Sequence, residues 1–268
     1  MIRITNKPRV LFLTRKKPES IFLLRKLKNM KGIDLIGTIA ENNNKGKLNL
    51  VVKKFKYFFF KYKFNKLIVF LINLPFLFII DRYRSLYFYK RWKINNKEIF
   101  CKNNFFVEDL NSKEAQKFIK IQNPDIILIF GTGILVKETF SLSKLGSINI
   151  HTGITPEYRG AKSEFWAILN NDRNMLGYTI HKVDIGIDTG EIIFQKKIKF
   201  KKKESLLSTR ARNIEDICFN LEKVLIDYSN KNIKYIKSDN RKSKLYSTPY
   251  LHNYITIFIN KLKDNIKI

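Results

Sequence analysis

The sequence predicts an α/β protein with a Rossmann-like, mostly parallel sheet flanked by helices, plus a basic, aromatic, helical insertion. Three observations carry this. Short apolar runs alternate with stretches of helical periodicity. The chain opens strand, helix, strand, the order of a right-handed βαβ unit. And 268 residues with 44% hydrophobic content can bury the core of one such domain.

Residues 9–14 (RVLFLT) are apolar and read as a buried first strand. Pro18 and Ser20 follow, then 20–29 (SIFLLRKLKN) places Ile21, Leu24 and Leu27 at helical spacing. Residues 33–40 (IDLIGTIA) form the second strand. The first turn, 14–20 (TRKKPES), lacks Gly-x-Gly-x-x-Gly, which argues against a dinucleotide held in the usual way. After residue 98 the pattern resumes. Asn111 or Ser112 caps a helix through Ile121, Pro124 ends it, and 125–130 (DIILIF) is a strand leading into Gly131-Thr132-Gly133. Strands follow at 146–150, 177–183 and 191–198, with a short helix at 163–170 and a long amphipathic one at 204–230. Residues 238–268 read as a short tail, with Tyr246 and Pro249 in a loop.

Residues 45–97 differ in composition. They hold fourteen Lys or Arg, one acid (Asp81) and fifteen aromatics. The apolar run 67–80 is interrupted by Asn73 and Pro75 and is shorter than the roughly 20 residues a spanning helix needs. Cationic flanks around an aromatic centre suit a helix lying in a membrane interface. A helical subdomain packed on the sheet, or a nucleic-acid platform, fits the same composition. The net charge of +29 likewise attracts nucleic acid, anionic lipid or phosphorylated substrates, although Lys, Asn, Ile and Phe are heavily used throughout. Cys101 and Cys218 lie far apart, which fits a reducing compartment and argues against a disulfide or a metal site. Residues 1–8 lack the apolar core of a secretory signal. A cytoplasmic protein, peripheral on the inner membrane face, is the expectation.

The chemistry concentrates in 149–193. Asn149 and His151, two apart at a strand end, point to one face. An amide donor beside an imidazole suits an oxyanion developing on a carbonyl oxygen. Asp188 stands in a loop with Gly186 and Gly190, where the backbone can approach a flat ligand. A carboxylate near His151 would favour the imidazolium and could accept a proton. No Ser or Cys stands in a Gly-x-Ser-x-Gly elbow, so the set suits acyl transfer without a covalent nucleophile. Taken singly, each has a structural alternative: Asn149 a cap, His151 a hydrogen bonder, Asp188 an Asx-turn residue, and His181 a satisfied strand histidine.

In combination, Asn-x-His, then Pro-x-Tyr-Arg-Gly, then Thr-Ile-His-x-x-Asp-x-Gly-x-Asp-Thr-Gly resembles the 10-formyltetrahydrofolate-dependent formyltransferases, specifically over 123–195 and loosely over 7–40 and the helix after Lys203. That family acts on glycinamide ribonucleotide, methionyl-tRNA and amino-sugar nucleotides. The resemblance implies a catalytic triad of Asn149, His151 and Asp188 and a 10-formyltetrahydrofolate pocket at Thr132, Gly133, Ile134, Leu135, Val183, Asp184 and Gly186. It also implies a substrate loop at Tyr158, Arg159 and Gly160, and no metal. Gly153-Ile154-Thr155-Pro156 and Ser163-Glu164 depart from the family's usual residues and bear on the acceptor. The expected organisation is a catalytic domain over 1–200 carrying the 45–97 insertion, with a helix and tail over 201–268 packed on it.

The expected acceptor is a small-molecule amine, an amino-sugar nucleotide for a surface polysaccharide. Fewer than 70 residues follow Phe200, against the further domain of the tRNA enzyme, and the purine enzyme has no such insertion. Methionyl-tRNA, glycinamide ribonucleotide, hydrolysis of the donor by water, and a basic RNA- or membrane-binding protein without activity are the alternatives.

Overall fold

The computed structural model of the chain describes residues 7–41, 64–94, 104–201 and 204–266. Its sheet strands are β1 (Arg9–Arg15), β2 (Asp34–Glu41), β3 (Asn104–Val107), β4 (Ile126–Phe130), β5 (Gly146–His151), β7 (Gly177–Lys182) and β8 (Ile192–Lys197). They run in the order β3-β2-β1-β4-β5-β7-β8. β3 through β5 are mutually parallel, and β7 and β8 join antiparallel.

Both faces of the central strands are covered, which explains their near-continuous apolar sequences. Val10 and Phe12 of β1 pack toward α1 (Pro18–Leu27) and α6 (Leu206–Ser229). Leu11 and Leu13 point the other way, toward Ala115 and Ile119 of α3 (Lys113–Gln122). The Ser112 hydroxyl accepts from Ala115 N at 3.2 Å and caps α3, as its place before the periodic run predicts. β1 and β4 are neighbours from which the chain leads away in opposite directions. The crevice at their C-terminal ends is where open α/β sheets hold ligands.

The insertion is represented by α2 (Phe64–Trp92), one 29-residue helix with Pro75 inside it. Residues 45–63 and 95–97, and Cys101, fall outside the described residues. The C-terminal end of α2 is docked. Trp92 stacks between Phe22 and Phe88 at 4.4 and 4.7 Å, and its Nε1 donates to Glu215 Oε1 of α6 at 2.8 Å. No helix among the described residues is long and apolar enough to cross a membrane.

The tail differs from expectation. Residues 251–266 are helical (α7, Leu251–Ile266), and Leu245–Tyr246 forms a strand, β9, paired in parallel with β6 (Arg159–Gly160). Leu251, Tyr254, Ile255, Phe258, Ile259 and Leu262 do follow helical spacing. α7 packs on α2 through Phe76 and Tyr254, rings 5.3 Å apart, a partner remote in sequence.

Candidate active site

Alternation along β5 sends Ile148 and Ile150 into the core and leaves Asn149 and His151 together on the other face. The antiparallel pairing with β7 sets Asn149 directly opposite His181, and His151 opposite Thr179. Asp188 arrives from the β7–β8 loop in a left-handed conformation (φ 52°), which Asp tolerates better than most residues. That loop is fastened by Asp184, whose carboxylate accepts from Thr189 Oγ1 at 2.7 and 2.8 Å and from Gly186 N at 3.1 Å.

The three expected residues meet. Asp188 Oδ2 lies 3.2 Å from His151 Nδ1 and accepts from Gly160 N at 2.8 Å. Asp188 Oδ1 accepts from Asn149 Nδ2 at 3.1 Å and lies 3.4 Å from His181 Nε2. On the far side of the ring, His151 Nε2 is 2.7 Å from the Tyr158 carbonyl and 3.0 Å from Ser163 Oγ, whose own hydrogen goes to that carbonyl at 2.9 Å. Both nitrogens of His151 therefore face acceptors, the arrangement that suits an imidazolium. Gly160 has φ 88°, and a Cβ there would sit 2.3 Å from the Tyr246 carbonyl oxygen, so only glycine brings this N–H onto Asp188.

His181 is the residue that sequence reading left out. Its Nδ1 lies 2.6 Å from the Lys182 carbonyl, and its Nε2 lies 3.1 Å from Asn149 Nδ2 and 3.4 Å from Asp188 Oδ1. The signal was present in its alternation with Thr179 along β7, but only the β5–β7 register shows which residue it faces.

Burial pushes the Asp188 carboxyl up. The His151 charge, the His181 contact and the Gly160 N–H outweigh it, and hold the carboxyl well below the usual carboxylate range. Asp188 is thus a fixed anion and a weak proton acceptor at neutral pH. Its Oδ2 faces His151 Nδ1 and fixes the orientation of that ring.

These residues form one wall of a cavity of about 450 Å³. Thr132, Gly133, Ile134 and Leu135 lie along its rim at the end of β4, and Val183, Asp184 and Gly186 along the loop after β7. All seven predicted pocket residues are therefore brought to the same cavity. The substrate-loop residues divide. Gly160 lines the cavity, but the Tyr158 side chain is buried elsewhere, stacked on Tyr246 at 5.2 Å with its hydroxyl donating to Asp172 Oδ2 at 2.9 Å. Arg159 donates to the Ile187 carbonyl at 3.2 Å and braces the Asp188 loop. Tyr158 thus reaches His151 through its backbone carbonyl, and Arg159 reaches the Asp188 loop through Ile187. The cavity's other wall holds Arg15, Lys17, Arg84, Lys162 and Arg210, none of which the sequence reading singled out. Among the described residues no cluster of His, Cys, Asp and Glu could hold a metal ion.

Residues 89–219 match the family model described as Formyl transferase. Over 110 residues the chain is 36% identical to a methionyl-tRNA formyltransferase of Ehrlichia ruminantium, covering 40% of this chain and 36% of that one. Over 117 residues it is 32% identical to a GDP-perosamine N-formyltransferase of Brucella melitensis, covering 43% of this chain and 45% of that one. The chain thus spans less than half the length of these curated relatives. A solved sugar N-formyltransferase from Shewanella sp FDAARGOS_354 superposes with a TM-score of 0.56 over 93% of this chain and 86% of its own, at 15% identity, which shows a shared fold. The family's pattern thus runs from the end of α2 into α6, on a fold shared with solved formyltransferases, and residues 89–219 are similar to a formyl transferase domain.

Proposed function

We propose that the protein transfers the formyl group of 10-formyltetrahydrofolate to a primary amine, and that the amine belongs to an amino-sugar nucleotide. The observation that carries the chemistry is the contact of Asn149, His151 and Asp188 at one wall of a cavity whose rim is mostly backbone and apolar side chain. That rim fits a flat heteroaromatic donor: Gly133 adds no side chain and Ile134 is 68% exposed. The donor supplies a formyl group activated by its attachment to nitrogen.

The chain's residues act on the carbonyl oxygen and on protons. As the amine nitrogen bonds to the formyl carbon, negative charge gathers on the oxygen. The Asn149 amide and the His151 imidazolium donate to it, each such donor contributing about 3 kcal/mol. Both now direct their hydrogens to acceptors within the protein, so the charged oxygen competes better than a neutral carbonyl would. Asp188 holds the His151 ring in place through Nδ1, and water relays the amine proton to the leaving nitrogen.

Support for the sugar acceptor comes from the relative named for GDP-perosamine. The methionyl-tRNA relatives match as well, so the acceptor is the finer part of the proposal. Its test is a panel of 3-amino and 4-amino deoxysugar nucleotides, glycinamide ribonucleotide and methionyl-tRNA, each offered with the donor. A formamido sugar nucleotide is the expected product. Formylation of either other acceptor with no sugar product would refute the choice.

A second reading concerns location, and one observation favours it. Phe78 (62% exposed), Ile79, Tyr83 and Leu86 share one exposed face of α2 with Arg82. On the adjoining α7, Ile255, Phe258, Ile259 and Leu262 form a second exposed apolar stripe. Apolar faces on a chain of charge +29 suit an anionic lipid surface, with the protein lying on it. The protein is expected to float with phosphatidylglycerol vesicles and not with phosphatidylcholine ones, and Phe78→Ser with Phe258→Ser to weaken this about tenfold. Equal recovery with both lipids, or a dimer in solution that the same substitutions dissolve, would count against it.

A further inference from the structure

The loop that follows His151 is held by the C-terminal segment. Along β6 the Arg159 N–H donates to the Lys244 carbonyl at 3.1 Å, and the Ala161 N–H donates to the Tyr246 carbonyl at 2.9 Å. Successive N–H groups along a strand point to opposite sides. The Gly160 N–H between them is therefore turned away from β9, and it meets Asp188 Oδ2 at 2.8 Å. The pairing of β6 with β9 thus aims a backbone donor at that carboxylate. Two further contacts fasten the same loop. The Lys244 N–H donates to the Pro156 carbonyl at 3.2 Å, and Arg241 donates to Glu157 from Nε and Nη2 at 2.9 and 2.7 Å.

A pair of two-residue strands does not hold itself together in water. Side chains hold this one. The Tyr246 ring stacks on Tyr158 at 5.2 Å and on Trp166 of α5 (Ser163–Leu169) at 5.1 Å. Its hydroxyl accepts from Asn170 Nδ2 at 2.8 Å, and Trp166 Nε1 donates to the Ser247 carbonyl at 2.9 Å. Both stacking partners belong to segments that touch His151. The Tyr158 carbonyl faces its Nε2, and so does Ser163, which opens α5. Past Tyr246, Thr248 lines the cavity. The chain then reaches α2, where the Leu251 N–H donates to Asn73 Oδ1 at 2.6 Å.

We propose that Tyr246 is a positioning residue of the active site: stacked on Tyr158 and Trp166, it keeps β9 on β6, and so keeps the Gly160 N–H on Asp188 and the Tyr158 carbonyl on His151. Tyr246 acts through these two residues and does not itself carry the chemistry. The consequence for turnover rests on the formyl-transfer reading, while the positioning rests on the contacts alone. A packing role is the competing explanation, because Tyr246 also adjoins a small apolar cluster with Leu176 and Ile198. The two differ in whether a change at residue 246 reaches His151 in a folded protein.

The test reads the imidazole resonances of the whole protein, which has three histidines. His151 and His181 stand in the site, while His252 lies exposed on α7 and reports the tail. Tyr246→Leu keeps an apolar side chain and loses the ring stack. In it the His151 and His181 signals are expected to move, and kcat for formyl transfer to fall about tenfold with KM for the donor within about twofold. Tyr246→Phe keeps the stack and should match the wild type in both. A Tyr246→Leu chain that does not fold is replaced by Trp166→Phe, which loses the bond to Ser247 and in which the same two signals should move. Signals of His151 and His181 that stay in place in the folded variant, or that move equally in Tyr246→Phe, would overturn the positioning role even where kcat falls. So would a shift confined to His252. A wild type without formyl transfer would overturn the formyl reading and leave the resonance result standing.

Discussion

Replacing Asp188 by Asn is expected to lower kcat for formyl transfer by about a thousandfold or more, some 4 kcal/mol of barrier, with little change in KM. The argument is electrostatic. Asn has the same shape and accepts the left-handed conformation of residue 188 (φ 52°), so the loop and the Gly160 N–H contact can persist. What goes is the charge 3.2 Å from His151 Nδ1, and with it the reason for that ring to stay an imidazolium. Asp188 also loses a stabilising role. A carboxyl held below its ordinary range stabilises the fold above that range and ceases to as pH falls through it. The variant should therefore be less stable at neutral pH yet folded, and circular dichroism well below its melting temperature checks this. His151→Ala should fail equally, and the double variant no worse than either, since the two act as a unit. Near-full activity in folded Asp188→Asn would remove the mechanism.

Glu19→Gln should destabilise the fold by roughly 3–5 kcal/mol, the cost of leaving buried charges without a partner. Glu19 is 2% exposed and stands between Arg84 and Arg210, with Lys17 close by. Burial raises its carboxyl, but Arg84, Arg210 and Lys17 more than reverse this and bring it down to about 2. The sign follows directly. The stabilisation is complete above the ordinary glutamate range and disappears as pH falls from there to about 2. Urea denaturation at pH 7 and at pH 3 should show a large difference between wild type and variant that narrows in acid. A difference under about 1 kcal/mol at neutral pH, unchanged in acid, would show that the cations are accommodated by Glu164 and Asp81 alone.

The sheet was legible because its strands are covered on both faces: 10–13 and 126–130 are apolar without interruption, as buried parallel strands require. α7 was missed although its stripe of Ile255, Phe258, Ile259 and Leu262 is regular, because its packing partner, α2, lies far away in the sequence. The expected triad was legible through spacing together with the family resemblance. Asn149 and His151 share a strand face, and Asp188 stands in a glycine-rich loop. His181 was not, since a strand histidine becomes a site residue only through the register that sets it opposite Asn149. Lys17, Arg84, Lys162 and Arg210 were invisible for a plainer reason. Among 52 lysines and arginines nothing local marks these four as gathered around Glu19 and Glu164. Tyr158 was read as a substrate contact from its motif, while its ring faces Tyr246 and Asp172.

The most direct measurement follows the carbon of isotopically labelled formyl donor during incubation with the amino-sugar nucleotides of the panel. The account predicts that the label enters an acid-stable amide on the sugar, one for each tetrahydrofolate released, and only when the amine is present. Label released as formate at the same rate with or without the amine, or label remaining on the donor with every acceptor tried, would contradict it.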